Sequence, residues 1–178
     1  MNKTSSKTAN RVVIVTGAGK GLGRAFALHA AASGACVVVN NRKRDGEANS
    51  ADAVVAEITA AGGQAIADYH DVRDAGAAEG LVGAALGAWG RLDALVLKAG
   101  GNGPAARFAS QTGDAFRDVL ETNFFAKLAI LKAAMPCITA SGAGRIVLVA
   151  SSAGLYGVRG RAPYAASKGA LVGLGLTL

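Results

Sequence analysis

The sequence predicts an α/β fold, a three-layer, doubly wound parallel sheet of about five strands. Three observations predict it. Short β-branched runs alternate strictly with longer apolar-faced segments, the first run passes through a glycine-rich turn into a helix, and no repeat or low-complexity segment interrupts the series. Strands buried on both faces read as continuous apolar runs, and parallel neighbours need crossover connections that are overwhelmingly right-handed. With 178 residues, 51% hydrophobic and 17% charged, the chain has the apolar content for one buried core.

Taken in order, residues 11–16 (RVVIVT) form a strand, and a helix follows over about 22–33, closed by Gly34. Residues 36–40 form the second strand. A charged loop leads to Ser50, the expected N-cap of a helix carrying Ala53, Val54, Ala56, Glu57 and Ile58, which Gly62 and Gly63 close. A strand at 64–69, a helix at 75–89, a strand at 92–97 and a glycine-rich loop at 100–104 come next. A long helix over 112–135 stopped by Pro136, a strand at 145–150 and a helix from about Pro163 complete the chain. Residues 1–10 are polar and are expected to be a flexible tail before one domain over 11–178.

Charge narrows the function classes. The net charge is +7, and eight basic residues precede the first acid, Asp45, so the whole excess lies in the first quarter of the chain. That quarter is where a phosphate ligand would bind in such a fold. Aromatic residues make up only 5% and do not interleave with the basic ones, which argues against nucleic acid. Cys36 and Cys137 are too few and too far apart for a disulfide framework or a zinc site, and are expected to be buried reduced thiols. No run of 18 apolar residues suggests a membrane span, and residues 1–10 lack the apolar core of a secretory signal, so a cytoplasmic protein with no membrane partner is expected.

In a doubly wound fold the ligand lies at the carboxyl ends of the strands, near the point where strand order reverses. The first such loop is Thr16-Gly17-Ala18-Gly19-Lys20-Gly21-Leu22-Gly23. Glycines there let the backbone approach a pyrophosphate, and the helix that follows offers free N–H groups and partial positive charge. After the second strand, an enzyme preferring NAD usually places an acid on the adenosine ribose, but this chain has Asn40, Asn41 and Arg42. A ribose 2′-phosphate is met there by Arg42, with Lys20 approaching from the glycine loop, which favours NADP, with NAD as the alternative. Asp71 and Val72, after the third strand, stand where a carboxylate contacts the adenine amino group.

The last helix carries Tyr164 and Lys168 at i and i+4 on one face. An ammonium near a phenol stabilises the phenolate, which equips the tyrosine to act as acid or base. Ser151 and Ser152 follow the fifth strand at the same edge, where a hydroxyl donates to a substrate carbonyl as charge develops on its oxygen. Asn123 lies within the long helix, where a buried amide needs partners, such as a held water.

Together these residues resemble the short-chain dehydrogenase/reductase family over about residues 11–178, and they imply its Rossmann fold. The resemblance implies that the TGxxxGxG loop, here Thr16 to Gly23, binds a nicotinamide dinucleotide, with Ala99 and Gly100 lining the cofactor cleft. It implies an Asn, Ser, Tyr, Lys tetrad at Asn123, Ser151, Tyr164 and Lys168, with Ser152 as the alternative serine, and hydride transfer to or from a carbonyl or alcohol substrate. The phrases VTGAGKGLGR, VVVN and SSAGLYG are similar to the (3R)-hydroxyacyl-CoA dehydrogenase module of multifunctional enzymes, and 3-oxoacyl thioester reductases of the acyl-carrier type are nearly as similar. A homo-oligomer is a further implication.

Two departures stand out. Where the family typically reads Asn-Asn-Ala-Gly, this chain reads Leu97-Lys98-Ala99-Gly100. It also stops at Leu178, within the helix of Tyr164, so the domain is expected to be C-terminally incomplete. A dinucleotide-binding module without catalysis is therefore the alternative to an active oxidoreductase.

Overall fold

The computed structural model describes residues 10–43 and 50–178. Five strands form one parallel sheet: β1 (Val12–Thr16), β2 (Cys36–Asn40), β3 (Gln64–Asp68), β4 (Ala94–Leu97) and β5 (Arg145–Leu148). Their order is β3-β2-β1-β4-β5, so the chain builds outward from β1 in one direction and then returns to its other side. The reversal falls between β1 and β4, where Val13 pairs with Ala94 and Thr16 with Leu97. Each of β1 and β2 is buried at all five positions, as expected of central strands covered on both faces.

Alternation divides those strands between two cores. Ile14, Val38, Leu95 and Leu97 face α3 (Ala77–Trp89) and α5 (Ala126–Ala140), while Val13, Val15, Val37 and Val39 face α1 (Gly21–Ala32) and α2 (Ser50–Ala60). A buried polar tie fixes the register of the central pair. Asp93, 3% exposed, accepts the Val12 N–H at 2.8 Å and is bridged by Arg91. Burial raises the Asp93 carboxyl, but the Arg91 and Val12 hydrogen bonds and the nearby arginine charges outweigh it and hold the group below the usual carboxylate range.

Several boundaries differ from the sequence reading, each for a local reason. The tail expected over 1–10 lies outside the described residues up to residue 9, but Asn10 belongs to the body, because its N–H donates to the Gly34 carbonyl at 3.0 Å. Arg44 and Asp45 also lie outside the described residues. Ser50 is the first residue of α2 rather than a cap before it, and its hydroxyl accepts from Asn41. Helix α3 starts at Ala77, not at residue 75, since Gly76 has a φ of 79° that no helical turn accommodates. Residues Leu92 and Asp93 are buried but precede β4, and β3 and β5 end at Asp68 and Leu148. Of the two cysteines, Cys36 is buried, which raises its thiol, whereas Cys137 is only half-buried.

The long helix departs most. It is α4 (Gly113–Leu120), N-capped by the Thr112 hydroxyl on the Ala115 N–H, then a π-helical turn Glu121–Phe125, then α5. Pro136 does not stop α5, which runs on to Ala140. The proline removes one helical hydrogen bond, but Ile130, Leu131, Ala134 and Ile138 bury the same helix against the sheet, and that packing prevails. The run from Gly113 to Ala140 is long and apolar enough to cross a membrane by length and composition alone, and 39% of its most apolar stretch is buried in the fold. A 3₁₀ turn at Phe108–Ser110 and a short helix α6 (Ala153–Tyr156) precede α7 (Ala162–Gly175), which the sequence places correctly from Pro163.

Candidate functional site

At the β1/β4 reversal the loops after four strands open on a cleft of about 300 Å³. Gly17 has a φ of 64°, and a Cβ there would stand 3.0 Å from the Ala99 Cα, so only glycine lets the loops after β1 and β4 come this close. A Cβ on Gly23 would collide with the Gly17 carbonyl, so that glycine sets how tightly α1 packs under the loop. Thr16 Oγ1 accepts the N–H groups of Lys98 and Ala99, both at 3.1 Å, tying the two loops together. The first-turn N–H groups of α1 have no partners within the helix, which leaves donors for an anion above Gly21, Leu22 and Gly23. Gly17, Lys20, Ala99 and Gly100 line the cleft, while Gly19, Gly21, Leu22 and Gly23 form the turn behind it.

Residues at the β2 and β3 ends make the second wall. Asn40 is buried and donates to Asp68 at 2.7 Å and to the His70 carbonyl, so it serves the sheet rather than a ligand. Asn41 donates to Ser50. Arg42 and Asp71, assigned separate ligands by the sequence reading, form an ion pair of 2.7 Å, and both line the cleft with Val72. Burial raises the Asp71 carboxyl, but the Arg42 hydrogen bond, the Arg73 N–H and both arginine charges hold it below its ordinary range.

Of the tetrad candidates, Asn123 lines the inner end of the cleft, and Tyr164 and Lys168 pair on α7. Asn123, fully buried in the π-helical turn, accepts the Gly101 N–H through Oδ1 and donates through Nδ2 to the Gly101 carbonyl and to Ser167 Oγ, each at 2.9 Å. Its amide is thus taken up in joining the β4 loop to α7. Gly100 fits because a Cβ would meet Asn123 Oδ1 at 2.5 Å. Ser167 hands the connection on, donating to the Tyr164 carbonyl at 2.8 Å. Lys168 Nζ lies 5.6 Å from the centre of the Tyr164 ring and donates to the Val149 carbonyl at 2.6 Å. Burial first, and then the charge of Lys98, lower the Lys168 ammonium from its usual value. Two residues beyond Val149, Ser151 Oγ accepts the Ala153 N–H at 3.2 Å, which leaves its proton to donate, while Ser152 is exposed. Ser151, Tyr164 and Lys168 do not line the cleft, and the Tyr164 carbonyl is connected to it through Ser167 and Asn123.

Two functional candidates escaped the sequence reading. Ser167 reads as an ordinary small helical residue, and its position directly before Lys168 was the one available sign. Lys127 reads as a solvated lysine, yet it is 1% exposed and donates to the carbonyls of Ala99 and Asn123. Burial, and then Lys168 and Lys98, push its ammonium down to about 7.

Residues 11–178 match the short chain dehydrogenase family. A peroxisomal hydratase-dehydrogenase-epimerase of Saccharomyces cerevisiae is 40% identical over 174 residues, which span 95% of this chain and 19% of that protein. A 3-oxoacyl-[acyl-carrier-protein] reductase of Synechocystis is 36% identical over 168 residues, spanning 94% of this chain and 66% of the reductase. The NAD+-bound xylitol dehydrogenase structure superposes with a TM-score of 0.89 at 32% identity, over 96% of this chain and 64% of that one. The chain thus spans at most about two thirds of these relatives. With the family matched over residues 11–178, which include all five strands of the sheet, the chain belongs to the short chain dehydrogenase family.

Proposed function

We propose that this chain carries the cofactor cleft and proton-transfer residues of an NADP-preferring oxidoreductase acting between a secondary alcohol and a carbonyl, with a 3-hydroxyacyl or 3-oxoacyl thioester as substrate class. The observation that carries the reading is the Tyr164–Lys168 pair, held on one face of α7 and joined through Ser167 and Asn123 to the cleft. The thioester class rests on the acyl-carrier reductase among the relatives and on the sequence phrases shared with hydroxyacyl dehydrogenases. The cofactor preference rests on Arg42 in the wall of the cleft, with no acid at the end of β2.

The residues present fit a nicotinamide dinucleotide. Gly17 and Gly23 let the glycine loop pack tightly against the β4 loop and α1, the start of α1 offers donors, and Lys20 and Lys98 supply positive charge at the cleft. Bound there, the nicotinamide ring supplies hydride chemistry. In the reducing direction Tyr164 would donate its phenolic proton to the substrate oxygen, and in the oxidising direction it would take the proton back. Lys168 presents its amine 5.6 Å from the centre of the Tyr164 ring. Ser151 holds the substrate oxygen with the hydroxyl proton its Ala153 contact leaves free. Asn123 positions the β4 loop and α7 relative to one another.

Comparing the chain with its Tyr164→Phe variant, using NADPH and acetoacetyl-coenzyme A, tests this reading. The expected result is unchanged NADPH binding with turnover reduced by roughly 10²- to 10⁴-fold, the usual contribution of a general acid. Full turnover in the variant would overturn the assignment. Saturable NADPH binding with no turnover in either form would identify a binding module without catalysis.

A further inference from the structure

Three ammonium groups crowd the inner end of the cleft, and the tetrad explains only Lys168. Lys98 stands where the family typically has asparagine. Its stem lies over the glycine loop, with Cδ 3.3 Å from where a Cβ on Gly17 would sit, and it lines the cleft. Among the described residues its amine has no hydrogen bond and no ion pair. Lys127, one helical turn beyond Asn123, is buried and gives its hydrogen bonds to two carbonyls, Ala99 and Asn123. A neutral amine has two N–H groups and satisfies both acceptors. The third proton of an ammonium finds no acceptor there among the described residues, so the charged form is disfavoured by burial as well as by its neighbours.

Among the described residues no carboxylate offsets this charge. From the elements packed around Lys127, Lys98 faces it after β4 and Lys168 from α7, and both are cationic. Glu79 on α3 and Glu121 in the π-helical turn are exposed, Asp118 on α4 is paired with Arg73, and Asp71 is paired with Arg42. An anion over the glycine loop would therefore meet an unpartnered ammonium at Lys98. By offsetting that charge, it would also make protonation of Lys127 less unfavourable.

We propose that Lys98 and Lys127 form a charge-coupled pair that recognises the phosphates of the bound dinucleotide, with Lys98 as the anion contact and Lys127 as a group that takes up a proton from solvent when the dinucleotide binds. The inference rests on the dinucleotide reading of the cleft. It makes Lys98 an affinity-determining residue that this chain has in place of an asparagine. No bond other than the new N–H at Lys127 forms or breaks, and the buffer supplies the proton.

The test is a calorimetric titration of the full chain with NADPH at pH 7, in two phosphate-free buffers of equal ionic strength but different ionisation enthalpy. The expected result is a binding enthalpy that differs between the buffers by the equivalent of about half a proton taken up, since a group near pH 7 is half protonated before binding. His70 also lines the cleft, so Lys127→Met is compared: it should still bind NADPH, with most of the buffer dependence gone. Lys98→Asn should weaken NADPH binding by about tenfold and reduce the uptake, and it serves as the second variant if Lys127→Met does not fold. NADPH binding with equal enthalpies in both buffers overturns the pair. Uptake that persists in a folded Lys127→Met variant assigns the proton elsewhere and overturns it as well. Absence of NADPH binding by the folded wild-type chain overturns the dinucleotide reading itself, a separate failure.

Discussion

Replacing Arg42 with alanine tests cofactor choice most directly, because the structure shows what Arg42 must give up to bind a 2′-phosphate. Its guanidinium is paired with Asp71 at 2.7 Å, and its side chain is 49% exposed. An exposed pair of this kind contributes only about 0.2–1 kcal/mol. A charge-assisted hydrogen bond to a phosphate contributes about 1.5–3 kcal/mol. The difference, about 1–2 kcal/mol, corresponds to roughly a five- to thirtyfold preference for NADPH over NADH. Arg42→Ala should remove that preference by weakening NADPH binding and leaving NADH binding nearly unchanged. Asp71→Asn should act in the opposite sense, since it frees Arg42 and removes a carboxylate from the same wall. Parallel titrations following nicotinamide fluorescence give both dissociation constants, and the NADPH advantage should shrink between 50 and 200 mM salt, as screening requires. A ratio of NADPH to NADH affinity that is the same in Arg42→Ala and wild type would refute the argument.

Two other substitutions test the scaffold beneath the site. Asp93→Ala leaves the buried Val12 N–H without its acceptor and should cost about 2 kcal/mol of stability at pH 7, read from urea unfolding. Because the folded state holds Asp93 below its unfolded value, its contribution is present above about pH 4 and is lost as the pH falls through the folded value. The deficit of the variant should therefore shrink on acidification, and a deficit that does not change with pH would count against the charge argument. Ser167→Ala cuts the only side-chain link from Asn123 to α7 among the described residues. It should reduce kcat with little change in KM for NADPH, and an unaltered kcat would show that α7 is positioned without that link.

Legibility from sequence divides along physical lines. The strands were legible because fully buried parallel strands must be apolar throughout, and Val37, Val38 and Val39 permit no other reading. The glycine loop was legible for a similar reason, since Gly17 is required where two backbones nearly touch. The tetrad residues could be named from the family resemblance, but their connections could not. Tyr164 meets Lys168 one turn away on the same helix, whereas Asn123 reaches that helix only through Ser167, a contact spanning 44 residues that no local pattern encodes. Lys127 was missed because charge ordinarily signals exposure, and its burial depends on α5 packing against the sheet beside the β4 loop. The Pro136 stop failed in the same way, as tertiary packing held a helix that local preference would have ended. The Arg42–Asp71 pair joins the ends of two strands, and each residue read alone suggested a separate contact.

The order of the strands also bears on how the molecule folds. Every pairing is parallel, so no hairpin is available to start the sheet. Val12 meets Cys36 across one short crossover, but Val13 meets Ala94 only after the chain has passed through β2, α2, β3 and α3. Closing the longer loop costs about 1 kcal/mol more in chain entropy, and the intervening elements must already be in place to support it. The cleft lies on that seam. A ligand that spans the glycine loop and the β4 loop therefore bridges the longer closure, and by binding only the folded chain it works as a clasp across the one pairing that the local chain cannot hold together.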